Sequence, residues 1–175
     1  MASYRATIDW ALEDGADFLK GRYSRAHTVT FQEHVVPATA SPHVVGKWAA
    51  PGAVDPEEMF VAALSNCHML TFLHVARLRG FVVTRYRDEA VGVMEKTPEG
   101  RMAVTRVTLH PEIHYQGAYP TAAERDAMHH EAHEECFIAN SVKTEVVVEE
   151  VSLADMVERG MHDGFQRGVN RSILG

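Results

Sequence analysis

Between Glu58 and Arg77 the chain carries no Asp, Glu, Lys or Arg, and helix signals stand at both ends of this uncharged interval. Asp55 reads as an N-cap and Pro56 as the first helical residue. Glu58 completes an Asp-x-x-Glu capping box, and Gly80 ends the run. A helix apolar on nearly every side is surrounded by protein rather than laid on a surface. The pattern predicts a long buried central helix over Asp55–Gly80, with Cys67 in its middle.

The flanking segments read differently. Tyr4, Ala6, Ile8 and Trp10 alternate with Arg5, Thr7 and Asp9, a period of two that predicts a strand over 4–12. Residues 13–24 are polar and turn-like. His27 to Phe31, and then Val35 to Val45 broken at Pro37 and Pro42, read as short or edge strands. Beyond Gly80, runs 82–96 and 101–116 are joined by Thr97-Pro98-Glu99-Gly100, which predicts a long β-hairpin. Ala103, Thr105, Val107, Leu109, Ile113 and Tyr115 share one face of its second run. Pro120-Thr121 opens a second helix, capped by Thr121 and Glu124 and running to about Cys136. Thr144–Val151 reads as a strand. Residues 152–174 have weak helical spacing through Leu153, Val157 and Met161, interrupted by glycines 160, 164 and 168. The class is α+β, with helices on one face of a largely antiparallel sheet.

A length of 175 residues suits one domain with a real core. A net charge of −7 and a pI near 5.8 disfavour a nucleic-acid partner. The start, MASYRATIDW, lacks a basic stretch followed by an apolar block, so no secretory signal is expected. The uncharged run raises the question of a membrane, but Ser65, Asn66, His68, Thr71 and His74 are unlike a lipid-facing span. The expectation is a cytoplasmic protein with no membrane partner. Two cysteines there favour redox or metal chemistry over a disulfide framework. The plainer alternative is two small buried hydrophobes.

Cys67 and Cys136 fall on different helices, 69 residues apart, so spacing is silent about contact. If they meet they form a dithiol, whose chemistry is thiolate attack on an oxidant and condensation of the sulfenic acid with the second thiol. His129, His133 and Cys136 stand at i, i+4 and i+7, and His68 adjoins Cys67, a set able to bind zinc. Against zinc, Met128 to Glu135 is so polar that the histidine pair is expected to face water. His-Glu-x-x-His is absent, and His-x-Glu at 129–131 lacks the later Pro-Cys-x-x-Cys of zinc deaminases. Neither a phosphate-cradling glycine loop nor a Gly-x-Ser-x-Gly elbow is present.

Pro-Glu-Glu-x-Phe-x-Ala-Ala-x-x-x-Cys at Pro56 to Cys67, with Cys136 at the end of a later helix before a strand, resembles the OsmC/Ohr family of osmotically inducible and organic hydroperoxide resistance proteins. The resemblance covers residues 1–150 as an OsmC-like domain. Residues 151–175 form a C-terminal extension outside it. It implies a thiol-dependent peroxidase acting on organic hydroperoxides, built as an intertwined homodimer. It implies Cys67 as the peroxidatic and Cys136 as the resolving cysteine. Glu57 would support an arginine, for which Arg22 is the better match and Arg25 the reserve; the family's other branch places it shortly before Pro56, where this chain offers only Lys47. Phe137 stands where many members have proline, and His68 where a large apolar residue is usual.

Physical chemistry bears on these roles. At about 1.5 Å of rise per residue, Glu57 and Cys67 are roughly 15 Å apart along one axis. If Glu57 serves Cys67, it comes from the antiparallel helix of a partner, as a two-fold contact supplies. A guanidinium lowers a thiol's pKa, and a glutamate can fix that guanidinium in a bidentate fork. Alternatively Glu57 simply complements the helix dipole, and either arginine is solvated.

The expected function is reduction of alkyl or fatty hydroperoxides to alcohols through a Cys67 sulfenic acid and a Cys67–Cys136 disulfide. An external dithiol, lipoyl-type or otherwise, reopens the disulfide, and no cofactor or metal is needed. Met59, Phe60, Met69, Phe72 and Phe137 are candidate apolar walls favouring organic peroxides. The alternatives are a zinc protein using Cys136, His133, His129 and perhaps Cys67, or a non-catalytic binder of an apolar ligand in the dimer cleft.

Overall fold

The computed structural model describes residues 1–152; the weak helical spacing from Leu153 onwards lies outside them. The chain divides into two compact units, Met1–Ala62 and Ala63 onwards, and the division falls inside one unbroken helix.

In the first unit, β1 (Thr7–Asp9), β2 (His27–Phe31) and β3 (His34–Ala38) form an antiparallel sheet in that order. β2 falls on the expected residues. β1 is three residues long instead of nine because Trp10 leaves the ladder. Its ring packs against Phe18 and Tyr23 with centroids 6.1 and 5.4 Å away, and its Nε1 donates to the Ser24 carbonyl at 3.1 Å. Pro42 does not sit in a strand. It opens a short helix, α1 (Pro42–Val45), since proline lacks only an N–H that the first helical turn leaves unpaired anyway.

α2 (Pro56–Leu78) carries the expected capping box. Glu58 N donates to Asp55 Oδ1 at 2.8 Å, and Asp55 N donates to Glu58 Oε2 at 2.9 Å. It ends in a Schellman arrangement: Phe81 N donates to Ala76 O, and Gly80, at φ +81°, donates to Arg77 O. By length and composition α2 could cross a membrane, though a soluble core helix passes the same test. The expectation of burial on every side is corrected. Leu64, His68, Phe72, Val75 and Ala76 are buried, a single stripe at helical spacing, while Leu70 and Leu78 are exposed.

In the second unit the predicted hairpin exists but is folded into two parts. β5 (Val91–Lys96) pairs with β6 (Met102–Leu109) across the Thr97–Gly100 turn, and β4 (Val82–Asp88) pairs with β7 (Pro111–Gln116) in a separate two-stranded sheet. Asp88 pins the corner: its Oδ1 accepts from His110 N at 2.7 Å and its Oδ2 from the Ser65 hydroxyl. α3 (Ala122–Glu135) begins with the expected Thr121–Glu124 capping box. β8 (Glu145–Val148) is shorter than the predicted strand and joins β6 in parallel, Val107 opposite Val146. Phe72, Val75 and Ala76 of α2, Ile113 of β7, and Met128 and Ala132 of α3 make the core. Burying a phenylalanine of this kind is worth about 2–3 kcal/mol.

Candidate redox site

Cys67 lies mid-way along α2 and Cys136 is the C-cap of α3. Both are free thiols, and the fold makes them neighbours. Burial pushes the Cys136 thiol above its usual pKa, and the adjoining Cys67 adds to this. Ala139 N–H donates to its sulfur at 3.4 Å and pulls the other way. The chain after Cys136 holds it in place. Asn140 N donates to Cys136 O at 3.0 Å, and Asn140 Nδ2 donates to Glu134 O at 2.8 Å. Phe137, next along, is 81% exposed.

Of the histidine pair expected to face water, His129 is buried and His133 is half-buried. His68 and His129 are buried, and their rings stack 5.3 Å apart at 11°. His68 Nε2 and His129 Nδ1 share a hydrogen bond at 3.0 Å. His129 Nε2 donates to Glu150 Oε2 at 3.2 Å, and Arg125 Nε pairs with Glu150 Oε1, also at 3.2 Å. Burial, then the nearby His129 and His133, lower the His68 pKa from 6.5 to about 3, so its ring is neutral. The zinc set foreseen as an alternative is not assembled, because His129 is committed to His68 and Glu150. Among the described residues no group of three or more His, Cys, Asp or Glu is arranged to hold a metal.

Glu150 and Arg125 are the partners that the sequence reading missed. The available signal was the Glu149–Glu150 pair interrupting the valine-rich run from Val146 to Val151. Phe72, foreseen as a wall, is wholly buried and stacks on His129 at 4.4 Å, so it is spent on the core. Met69 is half-buried on α2, as are Met59 and Phe60 in the first unit.

The other predicted site residues belong to the first unit. Arg22 is exposed, its backbone paired with Asp17 across a tight turn. Arg25 is half-buried, its guanidinium 3.5 Å from the centre of the Tyr23 ring and its Nη1 donating to Tyr23 O at 2.6 Å. With Trp10, Phe18, Tyr23, His27 and Thr39 it lines a cavity of about 410 Å³. Of the two arginines, then, the one held in reserve lines a cavity. Glu57 is half-buried in the first turn of α2 and pairs with neither arginine of its own chain.

Residues 49–151 match the family model described as OsmC-like protein. No curated protein matches. Among solved structures, an OsmC-like protein of unknown function from Vibrio cholerae is 46% identical, covering 86% of this chain and 100% of its own, with a TM-score of 0.83. The organic hydroperoxide resistance protein OhrB of Bacillus subtilis is 16% identical over 86% of this chain and 98% of its own, with a TM-score of 0.61. An organic hydroperoxide resistance protein OsmC from Legionella pneumophila is 22% identical over 86% and 97%, with a TM-score of 0.59. The last two show likeness of fold alone. The family match and the Vibrio cholerae structure together establish that the chain belongs to the OsmC-like family.

Proposed function

We propose that this protein is a cysteine-based peroxidase that reduces organic hydroperoxides to alcohols in the cytoplasm, working as a homodimer. The observation that carries this reading is the meeting of Cys67 and Cys136, free thiols from two helices 69 residues apart in sequence. The names of the Bacillus subtilis and Legionella pneumophila structures support the substrate class.

The Cys67 thiolate attacks the terminal peroxide oxygen. The O–O bond breaks, the departing alkoxide takes a proton to become the alcohol, and Cys67 is left as sulfenic acid. Cys136 then attacks that sulfur, giving the disulfide and water, and an external dithiol returns both residues to thiols. A thiolate at neutral pH needs a cation beside it. His68, the residue next to Cys67, is kept neutral and cannot serve. A guanidinium fits the task, and Arg25 is our choice because it lines the aromatic cavity. Glu57 would steady it from the partner protomer, whose α2 would also cover the apolar face left open here. Mass spectrometry after one equivalent of tert-butyl hydroperoxide should show a 67–136 cross-link, and Cys67→Ser should consume no peroxide. Unchanged consumption in Cys67→Ser would refute the scheme.

A further inference from the structure

Four buried side-chain atoms lack a hydrogen-bond partner among the described residues: His68 Nδ1, His133 Nδ1, and the hydroxyls of Tyr86 and Tyr115. Buried polar atoms are almost always paired. These four gather round one feature, because His133 acts on His68, and Glu150 acts on both tyrosines. The hydrogen-bonded chain from Glu150 through His129 to His68 therefore sits in an interior with unused polar capacity.

The chain has a direction. A carboxylate only accepts, so His129 carries a proton on Nε2 where it meets Glu150. In the tautomer that leaves His129 Nδ1 as an acceptor, His68 donates its Nε2–H there and keeps a bare lone pair on Nδ1. A proton arriving at that nitrogen need not stay. As it binds, His68 releases its Nε2 proton to His129 Nδ1, and the positive charge comes to rest on His129. There Glu150 lies 3.2 Å away, itself held by Arg125. A ring whose own cation is disfavoured by burial thus opens onto a neighbour whose cation has a counter-ion.

The open end of this chain, His68 Nδ1, belongs to the helix that carries Cys67, and its hydrogen-bond partner His129 belongs to the helix that ends at Cys136. His68 directly follows Cys67, and His133, whose charge acts on His68, stands three residues before Cys136 on α3. Cys136 is the group in need of a base, since burial keeps it protonated when it must become a nucleophile.

We propose that His68, His129 and Glu150 form an internal proton relay that takes the proton from Cys136 as the Cys67–Cys136 disulfide closes. The proton passes from Cys136 Sγ to the bare His68 Nδ1. The sulfur's freed electron pair makes the S–S bond. In the peroxide cycle the Cys67 S–O bond breaks with its own pair, and the hydroxide leaves as water with the proton handed back. The relay ends as it began. The titratable and charged groups that act on it are His133 and Arg125 on α3, Tyr86 on β4 and Tyr115 on β7. This role rests on Cys67 and Cys136 being the working pair, but not on peroxide being the oxidant.

The test uses 5,5′-dithiobis(2-nitrobenzoate) on the full chain. The reagent forms a mixed disulfide at Cys67, and attack by Cys136 then releases a second thionitrobenzoate, whose rate reports closure alone. Glu150→Gln keeps an acceptor for His129 but removes the charge. We expect closure in this variant and in His129→Gln to slow at least about tenfold near neutral pH. It should also climb steeply with pH, whereas parental closure stays nearly level. Parental rates and profile in both variants would overturn the relay. Should the substitutions unfold the protein, histidine 15N shifts in the unaltered chain decide. A bare His68 Nδ1 with a protonated His129 Nε2 supports the relay, and the opposite tautomers overturn it. A relay intact by these measures, in a protein that ignores hydroperoxides, would sink the proposed activity and leave this inference standing.

Discussion

His68 on α2 and His129 on α3 are joined through Nε2 and Nδ1 at 3.0 Å, and this bond ties together the two helices that carry the cysteines. Its chemistry sets a cost in acid. In the unfolded chain His68 takes a proton near 6.5, while in the folded chain burial and its neighbours hold the pKa down to about 3. Above 6.5 both states are neutral and pH has no effect through this residue. Below that the unfolded state binds the extra proton, so stability falls as pH drops from 6.5 towards 3. The slope is about 1.4 kcal/mol per pH unit at most. Urea titrations across that range should show the fall, and His68→Gln should flatten it. An identical slope in both proteins would remove His68 as its source.

The corner of the folded hairpin depends on Asp88, whose two carboxylate oxygens accept from His110 N and from Ser65 on α2. Asp88→Ala leaves a part-buried backbone N–H and a hydroxyl unpaired. We expect a loss of about 1–3 kcal/mol, seen as a lower denaturation midpoint with little change in slope. Asp88→Asn should recover part of it, because one oxygen remains. A midpoint unmoved in both variants would mean that strand pairing alone holds the corner.

Local rules carried the sequence reading furthest where a few residues decide an element. Asp55 with Glu58, and Thr121 with Glu124, fixed both long helices, because a capping box satisfies backbone donors within four residues. Pro42 was misread because a proline that ends a strand can equally begin a helix, and only the chain beyond it decides. The parallel pairing of β8 with β6 is a long-range choice that no local pattern states. The candidate site divided the same way. The pairing of Cys67 with Cys136 followed from resemblance, not spacing. His129 was misplaced because the polarity of residues 128–135 was averaged. Its face at helical spacing is Met128, His129 and Ala132, all buried, against the outward His130, Glu134 and Glu135.

Arg22 and Arg25 separate cleanly by substitution. Arg25 stacks on Tyr23 at 3.5 Å and borders the cavity with Trp10 and Phe18, whereas Arg22 is exposed on a turn. If the Arg25 guanidinium holds the Cys67 thiolate, Arg25→Met should slow peroxide consumption at least about tenfold at neutral pH and raise the Cys67 pKa. Arg22→Met should stay within about twofold of the parent. Pseudo-first-order decay of tert-butyl hydroperoxide gives the rates, and iodoacetamide labelling against pH gives the pKa. The reverse order of effects would return the role to Arg22.

The two thiols should differ sharply in reactivity when each is left alone. In Cys67→Ser only Cys136 remains, and its main perturbation, burial, is untouched by that change. Its thiol therefore stays protonated at neutral pH and should alkylate slowly. The rate should rise about tenfold per pH unit until past the ordinary thiol range, because only the thiolate reacts. If the proposed scheme holds and a guanidinium adjoins Cys67 in a dimer, Cys136→Ser should alkylate faster at neutral pH than Cys67→Ser and depend less steeply on pH. Mass-resolved labelling of both variants from mildly acidic to alkaline pH makes the comparison. Equal profiles would mean that neither burial of Cys136 nor a cation at Cys67 separates the two sulfurs, and the assignment of attacker and resolver would lose its physical basis.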